Sequence, residues 1–329
     1  MMIKKQPTKI IHWGIIGLGS IANKFAQDLL TIKDVKLHAV ASRTQEKANA
    51  FAIKYQATIA YSSYEALVKD PLIDVVYIAT PHALHMKNTL LCLDHNMAVL
   101  CEKPFAMNSD QVAVMIAKAK AKNTLLMEAL WTNFLPQYKY VLDILEAKTY
   151  GKLLKIEADF GFYREFDNSA RLFNKALGGG SLLDIGIYPI FIALSTLGMP
   201  DNIEAKATTF KNGVDASCDV LFSYNNGEKA ILKSTLKTDT PTVAIFHCET
   251  GCIKINENFY APTTVTIHHN NEEKLIDFTE QTHGYKHEIL HINNLLRSNK
   301  TESPIMTFNF STKLITLLDK VRSIINLEY

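Results

Sequence analysis

The sequence predicts an α/β fold in two parts. Residues 1–130 read as a doubly wound parallel sheet, and 131–329 as an α+β domain with an open, mostly antiparallel sheet. Three observations predict this. From 10 to about 128, short and nearly continuous apolar strands alternate with helical stretches, the pattern of a parallel sheet covered on both faces. A glycine-rich turn joins the first strand to the first helix. After about 130, longer strands alternate apolar and polar residues and meet at Asn-Gly turns, the hairpin signal of antiparallel pairing.

In the first part the expected strands are 10–16, 35–41, 73–79, 97–101 and 124–128, with helices at 44–55, 63–69, 83–95 and 109–122, the last capped by Asn108 or Ser109. In the second, 152–165 alternates like one long strand, and a helix over 181–197 is opened by Gly178-Gly179-Gly180. Strands then fill 203–278, with turns at Lys211-Asn212-Gly213, Asn225-Asn226-Gly227, Thr250-Gly251 and Asn270-Asn271, before helices at 285–297 and 311–327. Those helices cover one sheet face only. A second copy of the chain is the natural cover for the other, so a homodimer through this sheet is expected.

Composition narrows the function. The chain has 329 residues, 47% apolar and 21% charged, enough for two cores. Its 35 basic and 33 acidic residues form no long block of either sign, which argues against nucleic acid or an anionic membrane as partner. No apolar run reaches a membrane span, and MMIKKQPTK lacks the apolar centre of a signal peptide, so a cytoplasmic protein is expected. The five cysteines (92, 101, 218, 248, 252) show no CxxC spacing. They read as free buried thiols, with no metal site.

The turn Gly17-Leu18-Gly19-Ser20-Ile21-Ala22 follows the strand Ile10–Ile16 and opens a helix. That is the dinucleotide-binding fingerprint of a Rossmann domain. Gly17 permits the turn, Gly19 lets the backbone approach a pyrophosphate, and a small Ala22 lets helix and strand pack. Ser20 and Ile21 supply the first N–H groups. The second strand ends at Ser42-Arg43-Thr44, where an NAD site places an acidic residue for the ribose hydroxyl. A hydroxyl and a guanidinium suit the 2′-phosphate of NADP; alternatively, Arg43 only covers the adenine and NAD is accepted as well.

Other candidates fall at the C-terminal edge of the same sheet. Thr80, His82 and His85 follow the strand 73–79, where the histidines meet the nicotinamide ribose or substrate, or else are a loop residue and a satisfied helix residue. Glu102 and Lys103 end the strand 97–101; Glu102 pairs with the lysine or meets the ribose. Asp184 and Tyr188 are four apart, hence on one helix face, with Gly186 between them leaving room for a ligand. A phenol ionises near 10, and an ammonium beside it favours phenolate. Lys103 with Tyr188 is therefore a sensible acid–base pair for interconverting carbonyl and alcohol. The plain alternatives are an ordinary loop lysine, a packing tyrosine and a helix-bonding aspartate.

Taken in order, IIGLGSIA, ASRTQEKANAFA, ATPHALH, CEKPFAMN, MEALWTNFLP, RLFNKALGGGSLLDIGIYPI and TESPIMT resemble the Gfo/Idh/MocA oxidoreductases, and among them the branch of dimeric trans-dihydrodiol dehydrogenases and NADP-dependent D-xylose 1-dehydrogenases. The resemblance implies proton transfer by Lys103 and Tyr188, and a substrate-side carboxylate at Asp184. Two positions depart from the branch pattern: Asn133 stands in place of an arginine, and Lys175 where proline is common. The resulting expectation is an NAD(P)-dependent oxidoreductase moving hydride between nicotinamide and a sugar, cyclic polyol or dihydrodiol, with NADP preferred. Gly17, Gly19, Ser20, Ile21, Ser42, Arg43, Thr80, His85, Glu102 and Lys103 would border the cofactor, and Trp131, Arg171, Asp184 and Tyr188 the substrate. Two rivals are a redox-neutral, glycosidase-like enzyme on the same scaffold and a non-catalytic NADP sensor.

Overall fold

Six parallel strands form the first sheet: β1 (Ile11–Ile16), β2 (Val35–Ala41), β3 (Ile59–Tyr61), β4 (Val75–Ile78), β5 (Ala98–Glu102) and β6 (Leu126–Ala129). They belong to a computed structural model that describes residues 9–329. Expectations about the extreme N-terminus lie outside the described residues. The strand order is β3-β2-β1-β4-β5-β6, so the direction of winding reverses between β1 and β4. In such a sheet the ligand crevice opens at that reversal, beyond the carboxyl ends of the strands. Both faces are covered, which is why Val75–Ile78 and Ala98–Glu102 are buried throughout. The covering helices are α1 (Ser20–Leu29), α2 (Gln45–Tyr55), α3 (Tyr64–Leu67), α4 (His85–Asp94) and α5 (Ser109–Lys122). Asn108 caps α5, its side-chain oxygen accepting from the Gln111 N–H at 2.9 Å. Strand β3 has three half-buried residues, too few to leave a period in the sequence.

The second sheet has eight strands, in the order β14-β13-β12-β11-β7-β10-β9-β8. They are β7 (Leu153–Gly161), β8 (Asn202–Thr209), β9 (Asp215–Ser223), β10 (Lys229–Thr235), β11 (Ala244–Cys248), β12 (Gly251–Ile255), β13 (Thr264–His269) and β14 (Glu272–Asp277). All pairings are antiparallel except β7 with β10, which run parallel at the centre. Asn270 and Asn271 both take positive φ, 51° and 63°, the geometry of the tight hairpin expected there. Helices α6 (Pro136–Glu146), α7 (Ile187–Leu197) and α9 (Phe308–Ile324) pack on one face. On the other, Lys229, Ile231 and Lys233 stand exposed at every second position of β10.

Three features differ from the sequence reading. The expected helix over 181–197 is two pieces, a π turn over Leu182–Gly186 and then α7. The stretch Lys175–Leu197 is apolar enough to pass for a membrane span, but 89% of its most apolar window is buried inside the protein. The two parts also interlock. Helix α8 (Lys286–Arg297) returns to pack against α1, because buried groups of the first part need partners from the second. The Trp13 indole donates to Asn293 at 3.1 Å, and Asp28 accepts from the backbone N–H groups of His283 and Tyr285. Cys92, Cys101 and Cys218 are buried, while Cys248 and Cys252 are only half-buried.

Candidate active site

The glycine turn leaves an open cradle. Gly17 has φ 88°, and a Cβ there would lie 2.7 Å from the backbone of Ala79, so no side chain fits. Around Gly19 the space is empty to 4 Å. Helix α1 starts at Ser20 with no side-chain cap, leaving its first N–H groups for an anionic ligand. Ser42 is buried at the end of β2, and Arg43 is exposed beside Tyr64, where its charge opposes the burial that pushes that phenol up. The donor set and the cradle fit a dinucleotide.

His85 does not offer a ring atom to a ligand. It is fully buried, with Nδ1 2.8 Å from the Pro104 carbonyl and Nε2 2.8 Å from that of Thr80. Burial lowers it to about 4 against the two carbonyls, which favour the charged ring, so the neutral ring donates to one of them at a time. Thr80 is buried too, its hydroxyl accepting from Asn88.

Lys103, Trp131, Arg171, Asp184 and Tyr188 meet in one cluster. Lys103 Nζ donates to the Asp184 backbone carbonyl at 2.5 Å and lies 4.7 Å from the centre of the Tyr188 ring. The Trp131 indole N–H donates to the Tyr188 oxygen at 3.0 Å. Arg171 donates to Asp184 Oδ1 at 2.9 Å, and His82 Nε2 is 3.7 Å from the same oxygen. The extra residue of the π turn lets the backbone carbonyl of Asp184 face the lysine while its carboxylate faces the arginine.

Electrostatics correct one expectation. Tyr188 is not drawn toward phenolate: burial and the carboxylate of Glu102 push it well above the usual phenol range, against the Trp131 hydrogen bond. The reason is placement. Lys103 sits over the ring face, with its hydrogen bond committed to a carbonyl. Burial also lowers Lys103 itself, opposed by Asp184 and Glu102. For Asp184 burial works against the charge, yet Arg171 and then Lys103 outweigh it and hold the carboxyl well below its usual range.

Sequence reasoning missed several neighbours. Tyr77 hydrogen-bonds to Glu102, which burial pushes up to about 7, and Glu128 accepts from the Phe105 N–H and is likewise pushed up to about 7. Phe160 and Tyr260 stack at 4.4 Å beside Tyr188, and Tyr285 stacks on Trp131 at 4.2 Å. These aromatic residues come from elements far apart in sequence, and no local spacing marks them.

Comparison with known proteins decides the family. The description "Oxidoreductase family, NAD-binding Rossmann fold" matches residues 11–130, and the GFO/IDH/MocA C-terminal domain matches 138–254. The chain belongs to the Gfo/Idh/MocA family. It is an NAD(P)-binding oxidoreductase of that family. Trans-1,2-dihydrobenzene-1,2-diol dehydrogenase from Xenopus tropicalis is 35% identical, covering 96% of this chain and 98% of that one. The Homo sapiens protein of the same name is 31% identical over 97% and 98%. Among solved structures, KijD10, a 3-ketoreductase from Actinomadura kijaniata in complex with NADP and TDP-benzene, is 26% identical with a TM-score of 0.85, covering 95% of this chain and 97% of its own. Aldose-aldose oxidoreductase from Caulobacter crescentus shares the fold at 20% identity, with a TM-score of 0.88 and coverage of 97% and 98%.

Proposed function

We propose that this enzyme interconverts a secondary alcohol and a carbonyl on a cyclic polyol, sugar or dihydrodiol, using NADP in preference to NAD. The observation that carries the reading is the Trp131–Tyr188–Lys103–Asp184 cluster at the edge of the cofactor crevice. When bound, the nicotinamide supplies or accepts the hydride. Tyr188 exchanges the proton on the substrate oxygen. Its phenol rests protonated, ready to donate to an oxygen that gains negative charge, and Trp131 fixes the direction of its hydroxyl. Lys103 adds a positive charge over the ring face once the proton has left, and would bond the oxygen only by giving up the Asp184 carbonyl. Asp184 and Arg171 form an ion pair able to hold substrate hydroxyls. The aromatic wall of Phe160, Tyr188 and Tyr260 suits the apolar face of a ring.

NADP preference rests on Ser42 and Arg43 at the end of β2, where no carboxylate opposes a phosphate. The names of the similar proteins, diol dehydrogenases and an NADP-bound ketoreductase, point the same way. A homodimer through the uncovered sheet face completes the proposal; a single species of monomer mass in sedimentation equilibrium would contradict it. The deciding experiment is a panel of trans-diols and sugars with NADP and NAD, followed by nicotinamide absorbance. Turnover that Tyr188→Phe abolishes while cofactor binding persists supports the assignment. Turnover unaffected by that substitution excludes it.

A further inference from the structure

The π turn that carries Asp184 is gripped from beneath by the second sheet. Such turns are uncommon and persist only where their surroundings dictate them. Asp215, at the start of β9 and fully buried, accepts through Oδ2 from the Ser181 hydroxyl and from the Leu182 N–H, both at 2.7 Å. Its other oxygen crowds Gly180, where a Cβ would lie 1.9 Å away. Asp215 Oδ1 is buried without a hydrogen-bond partner, so the carboxylate is held through Oδ2 alone. Ser234 in β10 touches both ends of the turn. Its hydroxyl is 3.1 Å from that of Ser181, and a Cβ on Gly186 would lie 2.9 Å from it.

Sealed from solvent, Asp215 does not meet substrate. It does fix the N–H that starts the turn. Without that acceptor the turn loses the bond that holds its first N–H. Relaxation to ordinary helical spacing turns the following side chains by about 100° per residue slipped. We propose that Asp215, backed by Ser234, is a positioning residue that sets the register of the π turn and so brings the Asp184 carbonyl to Lys103 and the Tyr188 hydroxyl to Trp131. The inference rests on the roles proposed for Tyr188 and Lys103, but its geometric half stands without them.

The two tryptophans test it without a substrate. The Trp131 indole N–H reports on Tyr188, whereas that of Trp13 bonds Asn293 on α8. In nitrogen–proton correlation spectra of the full chain, Trp13→Phe assigns the two indole peaks. Asp215→Ala is expected to move the Trp131 peak and leave that of Trp13. Turnover should fall roughly tenfold or more, with the KM for NADP within about threefold. Asp215→Asn, whose amide oxygen still accepts from Leu182, restores both the peak and most of the turnover. A Trp131 peak that stays in place overturns the proposal. So does an Asn variant as impaired as the Ala variant, which marks a purely structural carboxylate. If Asp215→Ala fails to fold, Ser234→Ala is read by the same peak with the same two outcomes. Wild-type inactivity on every substrate of the panel counts against the proposed dehydrogenase, while the indole peaks still decide the positioning role.

Discussion

Two sets of buried carboxyls in this protein are shifted in opposite directions. Asp184, on the wall built by the second domain, is held ionised by Arg171 and Lys103. Glu102 and Glu128, on the wall built by β5 and β6, are pushed up to about 7. Burial alone does not separate them, since all three are nearly out of solvent and burial raises each one. What separates them is the count of cations within reach. Asp184 has a guanidinium in contact and an ammonium at its carbonyl, while for the two glutamates burial outweighs that ammonium and the charge of Glu102 raises Glu128 further. The comparison teaches that a low dielectric amplifies whichever neighbour is present; it does not choose the sign.

Lys103 is the cation that both walls share, so Lys103→Met is the strongest way to break the comparison. Turnover should fall by roughly 10²–10⁴-fold, the range of an acid–base contribution, with cofactor affinity, read by nucleotide fluorescence, largely kept. Asp184 stays ionised through Arg171 alone. A smaller effect is expected at Arg171, whose side chain is 39% exposed and partly screened. In Arg171→Met, Asp184 loses its nearest cation and its titration moves up toward the ordinary range. The acid limb of kcat/KM then shifts to higher pH, and kcat/KM at neutral pH drops about tenfold, mostly through KM. A profile that superimposes on the wild type would show that Lys103 suffices.

How legible this was from the sequence follows from the range of each interaction. The glycine turn and the strand 35–41 are written in local period and turn chemistry and fold as read, while the strand expected over 73–79 folds over Val75–Ile78. Lys103 and Tyr188 were reached by matching a phenol to an ammonium, and the structure does bring them together. The sign of the effect on the phenol was not legible. It depends on the lysine sitting over the ring rather than at the oxygen, and on Glu102 lying behind it. The π turn was invisible for a related reason. Leu182–Gly186 has an ordinary helical composition, and the acceptor that distorts it, Asp215, comes from another element. Likewise, Trp13 gives no hint that its partner lies at 293.

The mildest test concerns the glutamate wall, and it reads stability instead of turnover. Glu128 is buried in β6, one oxygen accepting from the Phe105 N–H. Folded, it holds its proton up to about 7, against 4.5 for the free side chain. Between those two values the native state binds a proton that the unfolded chain has shed. Stability from this group is therefore fully present below about pH 4.5 and is lost as pH rises to about 7. Asp184 behaves in the opposite sense: its contribution is present above 3.8 and is lost only as pH falls below that. Between pH 5 and 8 the glutamate wall titrates while Asp184 is silent. Glu128→Gln keeps the acceptor for Phe105 and removes the titration. Its unfolding midpoint should change less across that interval than that of the wild type, with the variant gaining on the parent as pH rises. Parallel curves for the two proteins would mean that Glu128 is ionised throughout, and the contrast between the two walls would collapse to Asp184 alone.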